Sequence, residues 1–176
     1  GPEKIIWRYD PIVLSNFTDV EFHKKTFDHI AGSLRGYTFQ CITSFVDIYR
    51  EIGGRVKRLN DNGFVLKEWN EANLSDLLSS LVEIAENNGI EIRSCASPKD
   101  LTDFGISAGK CIDDIYISKI FGKKLDVKKD PSQRKNCNCV LSKDIGMYDS
   151  CLYGCQYCYA TTSFQRAGLN YQKHDP

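Results

Sequence analysis

The chain has 176 residues, 41% hydrophobic and 11% aromatic, with 23 Lys and Arg balanced by 23 Asp and Glu, the composition of one ordinary globular domain or of part of a larger one. A formal charge of zero removes electrostatic capture of nucleic acid or of an anionic membrane as the default reading. No apolar run approaches the roughly 18–20 residues that span a bilayer, and no basic-then-apolar leader opens the chain, so a cytoplasmic protein without a membrane partner is expected.

In chain order, Gly1-Pro2 has the form of a remnant left by tag cleavage, which places the natural start elsewhere. Lys4–Tyr9 is a β-branched and aromatic run that predicts a buried strand ended by Asp10-Pro11. Thr18-Asp19-Val20-Glu21 has the form of a capping box, and Val20, Phe27, Ile30, Ala31 and Leu34 repeat at helical spacing, which predicts a helix over about 19–35. Residues 39–47 are again β-rich, and after them Tyr49, Ile52, Val56 and Leu59 fit a helix despite Gly53-Gly54. Leu74, Leu77, Leu78, Leu81, Ile84 and Ala85 form the strongest apolar stripe, with Asn73 as the expected cap and Gly89 as the stop. Ile90–Cys95 predicts a third strand, and a short helix is expected over about 113–121 before Gly122.

Strand, helix, strand, helix, strand is the signature of parallel strands joined by right-handed crossovers. Three such units do not close a barrel of about eight strands, so the sheet is either open or continued by strands absent from this chain. The expected organisation is an α/β region over 1–122 and a cysteine-rich, loop-rich segment over 123–176 packed on the same domain.

Eight cysteines, five of them between 137 and 158, are out of proportion for such a chain. Four disulfides are a poor account, because the chain can bury a core and shows no export signal. Metal ligation fits better. Cys151, Cys155 and Cys158 have the spacing Cys-x-x-x-Cys-x-x-Cys with Tyr157 before the third, so three thiolates on one loop can hold three corners of a cubane cluster and leave the fourth iron open. Gly154 lets that loop wrap closely. Zinc bound by thiolates is the competing chemistry.

The run Cys151-Leu-Tyr-Gly-Cys155-Gln-Tyr-Cys158-Tyr159-Ala160 resembles the cluster loop of the radical S-adenosylmethionine enzymes, most closely the spore-photoproduct-lyase-like branch. A wider resemblance is to a bacterial family known only as a domain of unknown function, whose cluster loop lies near the C-terminus. It is carried by Ile6–Pro11, Ser44–Asp47, Ser94–Ala96, Gly109–Asp113, Gln133-Arg134, Cys137-Asn-Cys139, Asp144–Gly146 and the 151–160 loop. The resemblance implies a partial or permuted TIM-barrel-like parallel sheet, of which this chain is a C-terminal portion. It also implies a 4Fe–4S cluster on Cys151, Cys155 and Cys158 and S-adenosylmethionine chelated at the open iron with Tyr157 near its adenine. One electron, from a flavodoxin- or ferredoxin-like donor, then yields a 5′-deoxyadenosyl radical that acts on a substrate the sequence does not name. The alternative is a non-catalytic zinc or iron–sulfur module with a structural or redox role.

The remaining cysteines suggest a second site. Cys137 and Cys139 are poorly spaced for an unstrained disulfide but well placed to share a metal. Cys95 ends the third predicted strand and Cys111 lies in the loop beyond it, on the edge where ligands gather in parallel α/β folds. These four are expected to bind one zinc ion or a second iron–sulfur cluster, or else to remain free buried thiols, while Cys41 is expected to be a small core residue. Arg8, Asp10, Ser44 and Asp47, at predicted strand ends, are candidate contacts for a cofactor carboxylate or ribose; the alternative for Arg8 and Asp10 is an ion pair or a turn. The basic run over 123–135 reads as a solvated loop, and His23, His29 and His174 have no partner at metal-ligand spacing. Asn16 and Asn73 match a glycosylation pattern, but helix capping is a sufficient reason for each.

Overall fold

The structure is a computed structural model that describes residues 1–48, 50–97, 99–125 and 128–173. Tyr49 and His174, both read from the sequence, lie outside the described residues. The chain groups into two compact units, one of residues 1–46 and 66–142, the other of residues 47–65 and 143–176.

The first unit is built on one parallel sheet of four strands, β1 (Trp7–Ile12), β2 (Gln40–Phe45), β3 (Glu91–Cys95) and β4 (Ser107–Gly109), in the order β1-β2-β3-β4. All three pairings are parallel, so the alternation read from the sequence gives the expected topology. The first strand begins at Trp7 rather than Lys4, because Pro2–Lys4 is a short 3-10 turn. It also passes through Pro11, which was expected to end it. An edge strand tolerates the missing N–H, and the register shifts there between Tyr9 and Ile12. β4 was not expected: Ser-Ala-Gly has no β-branched or aromatic residue to announce a strand.

Two helices supply most of the apolar cover, α1 (Val20–Leu34) and, after the segment that belongs to the second unit, α3 (Glu71–Asn87), which pack on each other. α2 is the helix Gly53–Asp61 of that intervening segment. Asp19, rather than Thr18, caps α1 by accepting from the Phe22 amide at 2.8 Å; Thr18 is held by Ser15 and the Val13 carbonyl. Asn70 caps α3 and accepts from the amide of Asn73, the residue expected in that role. Neither Asn16 nor Asn73 is therefore a cap. Phe27 and Ala31 from α1, Leu77, Leu78, Leu81 and Ala85 from α3, and Ile12, Cys41 and Ile92 from the sheet make one buried cluster. Burial of each such large side chain contributes about 1.5–3 kcal/mol against the entropy of ordering it.

Register sorts the sheet's two faces. Trp7, Cys41 and Ile92 are neighbours across the strands and share the helix-covered face. Side chains alternate, so Arg8, Asp10, Ile42, Ser44, Arg93 and Cys95 belong to the other face. A helix α4 (Asp114–Phe121) follows β4, capped by Asp113 and ended by Gly122 at φ 63°.

The second unit contains α2 and α5 (Phe164–Gln172). Among its described residues, Ile52, Arg55, Asp149, Thr161 and Ala167 are buried. α5 was not expected from the sequence. Its signal is the cap, Ser163, which accepts from the Arg166 amide at 3.2 Å, followed by only a weak apolar stripe.

Candidate metal centres

Among the described residues no group of three or more His, Cys, Asp or Glu side chains stands arranged as a ready-made metal site. All eight cysteines are free thiols, and they fall into three environments.

Cys41 lies in the core, 0% exposed, and burial pushes its thiol up to about 12. It is a small apolar residue, as expected.

Cys95, Cys111, Cys137 and Cys139 gather in the first unit. Cys95 closes β3 opposite Gly109 of β4, and Ala96 then turns the chain at φ 48°, a left-handed conformation that few residues besides glycine adopt. Cys111 follows β4 by two residues, and its Sγ lies 3.3 Å from that of Cys95. Residues 128–141 fold back on themselves, with Leu141 donating to the Lys128 carbonyl at 2.8 Å and Asp130 to that of Cys139 at 3.1 Å. Asp130 closes the turn by accepting from the amide and hydroxyl of Ser132. This loop is docked on the residues after β4: Val140 donates to the Ile112 carbonyl at 3.2 Å, and Cys139 Sγ accepts from the amides of Cys111 and Ile112 at 3.2 and 3.4 Å. Cys137, Cys139 and Cys95 are each 6% exposed.

The electrostatics of the group favour one sulfur anion, at Cys95, while burial raises the Cys137 thiol. The hydrogen bond from Cys111 draws Cys95 down to about 7 against the opposing effect of burial, assisted by the guanidinium groups of Arg8 and Arg134. Cys111 is pushed up in return, so the pair shares one proton. Arg8 Nη1 donates to Cys111 Sγ at 2.7 Å, and its Nη2 donates to Asp10 at 2.6 Å. Ser44 in turn donates to Asp10. The ion pair named as the alternative for Arg8 and Asp10 is thus formed, within a chain of polar contacts that runs from Ser44 through Asp10 and Arg8 to the sulfur group.

Cys151, Cys155 and Cys158 belong to the second unit, on a loop without regular secondary structure. Cys151 and Cys155 are exposed and Cys158 is half-buried. Gly154 turns this loop at φ 67°, and the Cys158 amide donates back to the Cys155 carbonyl at 3.1 Å. Cys158 Sγ lies 3.5 Å from the Thr161 hydroxyl, and that hydrogen bond holds the thiol below its usual range.

The base of the loop is tied by residues the sequence did not single out. Asp149 donates its amide to the Ala160 carbonyl at 2.9 Å. Its carboxylate accepts from the Thr162 amide and hydroxyl at 2.5 and 2.7 Å and from the Ser163 amide at 3.1 Å, which also places a negative charge at the start of α5. Arg55 donates to the carbonyls of Cys158, at 2.8 Å, and Thr161, with its guanidinium 5.0 Å from the centre of the Phe164 ring. Tyr157, expected near a cofactor, has its hydroxyl donating to the Asp47 carbonyl at 2.9 Å and accepting from the Asp47 amide at 3.2 Å.

Of the expected cofactor contacts, Arg8, Asp10 and Ser44 are brought together in the first unit, and Asp47 and Tyr157 in the second.

Parallel sheet and sulfur groups together define a mixed α/β protein with two sets of free, closely spaced cysteines. The chain belongs to the family described as Domain of unknown function (DUF1848), whose profile matches residues 1–160. No curated protein and no solved structure matches it.

Proposed function

We propose that the chain is the cluster-bearing part of an iron–sulfur enzyme of the radical S-adenosylmethionine type, with its parallel sheet as part of a TIM-barrel-like wall. The observation that carries this reading is the 151–158 loop: three free thiols at the spacing of that chemistry, on a backbone tied at its base by Asp149 and Arg55. The donor set fits the group. Soft thiolates suit iron–sulfur clusters, two of the three are exposed, and Gly154 supplies the positive φ that a loop wrapping a bulky core needs.

Cys151, Cys155 and Cys158 are the three cluster ligands in this proposal. A 4Fe–4S cluster held there, together with S-adenosylmethionine, would supply one-electron reductive cleavage of a carbon–sulfur bond and so radical chemistry. The chain's own residues hold and orient. Arg55 and Asp149 fix the loop's ends, so that little ordering remains to be done when the ligands close on iron. Tyr157, tied through its hydroxyl to the Asp47 backbone, is assigned to the adenine, whereas Arg8, Asp10 and Ser44 are engaged with one another and with Cys111 in the first unit. An electron donor of flavodoxin or ferredoxin type is the implied partner. No helix among the described residues is long and apolar enough to cross a membrane.

The test is anaerobic purification followed by iron and acid-labile sulfide analysis and magnetic resonance of the reduced protein. The expected protein is brown, loses its iron in Cys155→Ser, and changes its reduced spectrum when S-adenosylmethionine is added, with 5′-deoxyadenosine released under reduction. A colourless protein with no iron after anaerobic reconstitution overturns the reading. A cluster whose spectrum ignores S-adenosylmethionine turns it into an electron-transfer or redox-sensing site.

A further inference from the structure

We propose that Cys95, Cys111, Cys137 and Cys139 bind a single zinc ion as four thiolates at the C-terminal edge of the parallel sheet, with no ligand from the 151–158 loop. The site lies wholly within the first unit and does not depend on the function proposed above.

Three observations carry it. The first is convergence: the sulfurs of Cys95 and Cys111, far apart in sequence, lie 3.3 Å apart, the Cys139 sulfur lies 3.2 and 3.4 Å from the backbone amides of Cys111 and Ile112, and Cys137 lies two residues before Cys139. The second is the kind of donor aimed at the sulfurs. Cys139 accepts two backbone N–H groups and Cys111 a guanidinium N–H. A neutral thiol is a weak acceptor that needs none of these, whereas a thiolate bound to a metal keeps lone pairs for such bonds. A zinc ion with four thiolates carries a net charge of −2, and the Arg8 guanidinium already faces it. The third is the poverty of other packing. In the stretch 128–142 the buried apolar side chains are Cys137, Cys139 and Val140, so little hydrophobic burial holds this loop on the sheet edge. Zinc binding contributes directly to folding free energy in such loops.

Spacing selects a mononuclear ion over a second cubane cluster. Four sulfurs at about 2.3 Å from one tetrahedral zinc lie about 3.8 Å apart. The 3.3 Å between Cys95 and Cys111 needs only a small opening to reach that, and it is far longer than the roughly 2.05 Å of a disulfide. A cubane places each cysteine sulfur on a different iron and so holds the sulfurs much farther apart. The left-handed turn at Ala96 and the glycine at 109 let the two strand ends approach closely enough to present Cys95 and Cys111 side by side.

The experiment is metal analysis of the full chain with cobalt substitution. One zinc per chain is expected after anaerobic purification, and it persists in Cys151→Ser/Cys155→Ser/Cys158→Ser, which removes every ligand of the loop. In Cys139→Ser zinc falls to about a tenth while iron stays at the unaltered level. If that variant does not fold, the unaltered chain decides: stripped of zinc and titrated with cobalt, it shows the intense visible bands of tetrahedral cobalt held by thiolates. Three results overturn the proposal: no zinc with no tetrahedral cobalt spectrum; zinc that disappears with the three loop cysteines; or iron, rather than zinc, that disappears with Cys139.

Discussion

His23 is a buried imidazole whose two nitrogens are both used, and its contacts and burial together favour the neutral form. Nε2 lies 2.9 Å from the Val13 carbonyl, which only accepts, so Nε2 carries the proton. Nδ1 then accepts from the Tyr9 hydroxyl at 2.9 Å, which burial keeps protonated by raising it to about 12. Burial also lowers the His23 pKa. The unfolded chain, with its histidine near the ordinary value of about 6.5, therefore binds the proton more readily than the folded one. Stability from the neutral imidazole is complete above that value and is lost as pH falls through the lower folded pKa. Urea unfolding followed between about pH 7 and pH 5 is expected to show the midpoint falling with pH, and falling less in His23→Phe. An equal slope in both proteins would remove His23 as the cause. The sequence marked His23 only as a helix residue without a metal-binding partner. Its hydrogen-bond partners, like those of Arg55 and Asp149, were illegible: most are backbone groups brought close by the fold, beside a tyrosine and a threonine hydroxyl, and a carbonyl leaves no mark in a sequence. Cysteine spacing, by contrast, is written along the chain.

At the scale of elements, the end of β3 packs tightly against β4. A Cβ at Gly109 would sit 3.0 Å from the Arg93 Cβ and 3.1 Å from the Ser94 carbonyl oxygen, and neither is the end of a flexible chain. Gly109→Ala must push β4 off β3, an overpacking that costs about 1–3 kcal/mol. Because Cys111 follows β4 by two residues, the same shift separates its thiol from Cys95. The expected result is a lower urea midpoint and, in metal-free protein, a Cys95 thiol that titrates closer to its ordinary range when followed by alkylation and mass spectrometry. Stability unchanged within about 0.5 kcal/mol and an unaltered Cys95 titration would show that β4 has room. The element boundaries divide along a physical line. α1, α3 and the first three strands were legible because each carries an apolar period or a β-branched run long enough to count. The short strand β4 was not, since it is held by its neighbour rather than by its own residues. The cap of α3 was placed late because Glu71 and Ala72 extend the helix before its stripe begins.

For the whole molecule, the order of residues in space differs from their order in the chain. The segment 47–65 belongs with 143–176, while the residues on either side of it build the sheet unit. The expected division into 1–122 and 123–176 followed composition, which has no means of showing that α2 is held by residues a hundred positions later. Arg55 makes that dependence concrete. It is 7% exposed and donates to the carbonyls of Cys158 and Thr161, with Phe164 against its guanidinium. A chain ended at Ser142 keeps all four strands, α1, α3 and the four cysteines at 95, 111, 137 and 139, but leaves that guanidinium without these partners. Each lost bond from a charged donor removes about 1.5–3 kcal/mol, against a whole-domain stability of only about 5–15 kcal/mol. Limited trypsin digestion should therefore cut the shortened chain first at Arg55, Lys57 and Arg58, while the sheet unit persists as fragments that remain associated and retain zinc. In the full chain the same bonds are expected to resist cleavage for at least ten times as long, since the loss of two such hydrogen bonds shifts a local opening equilibrium by more than about tenfold. Equal cleavage at 55–58 in both chains would mean that α2 holds its fold without the cysteine-bearing loop, and that the two halves of the second unit are independent of each other.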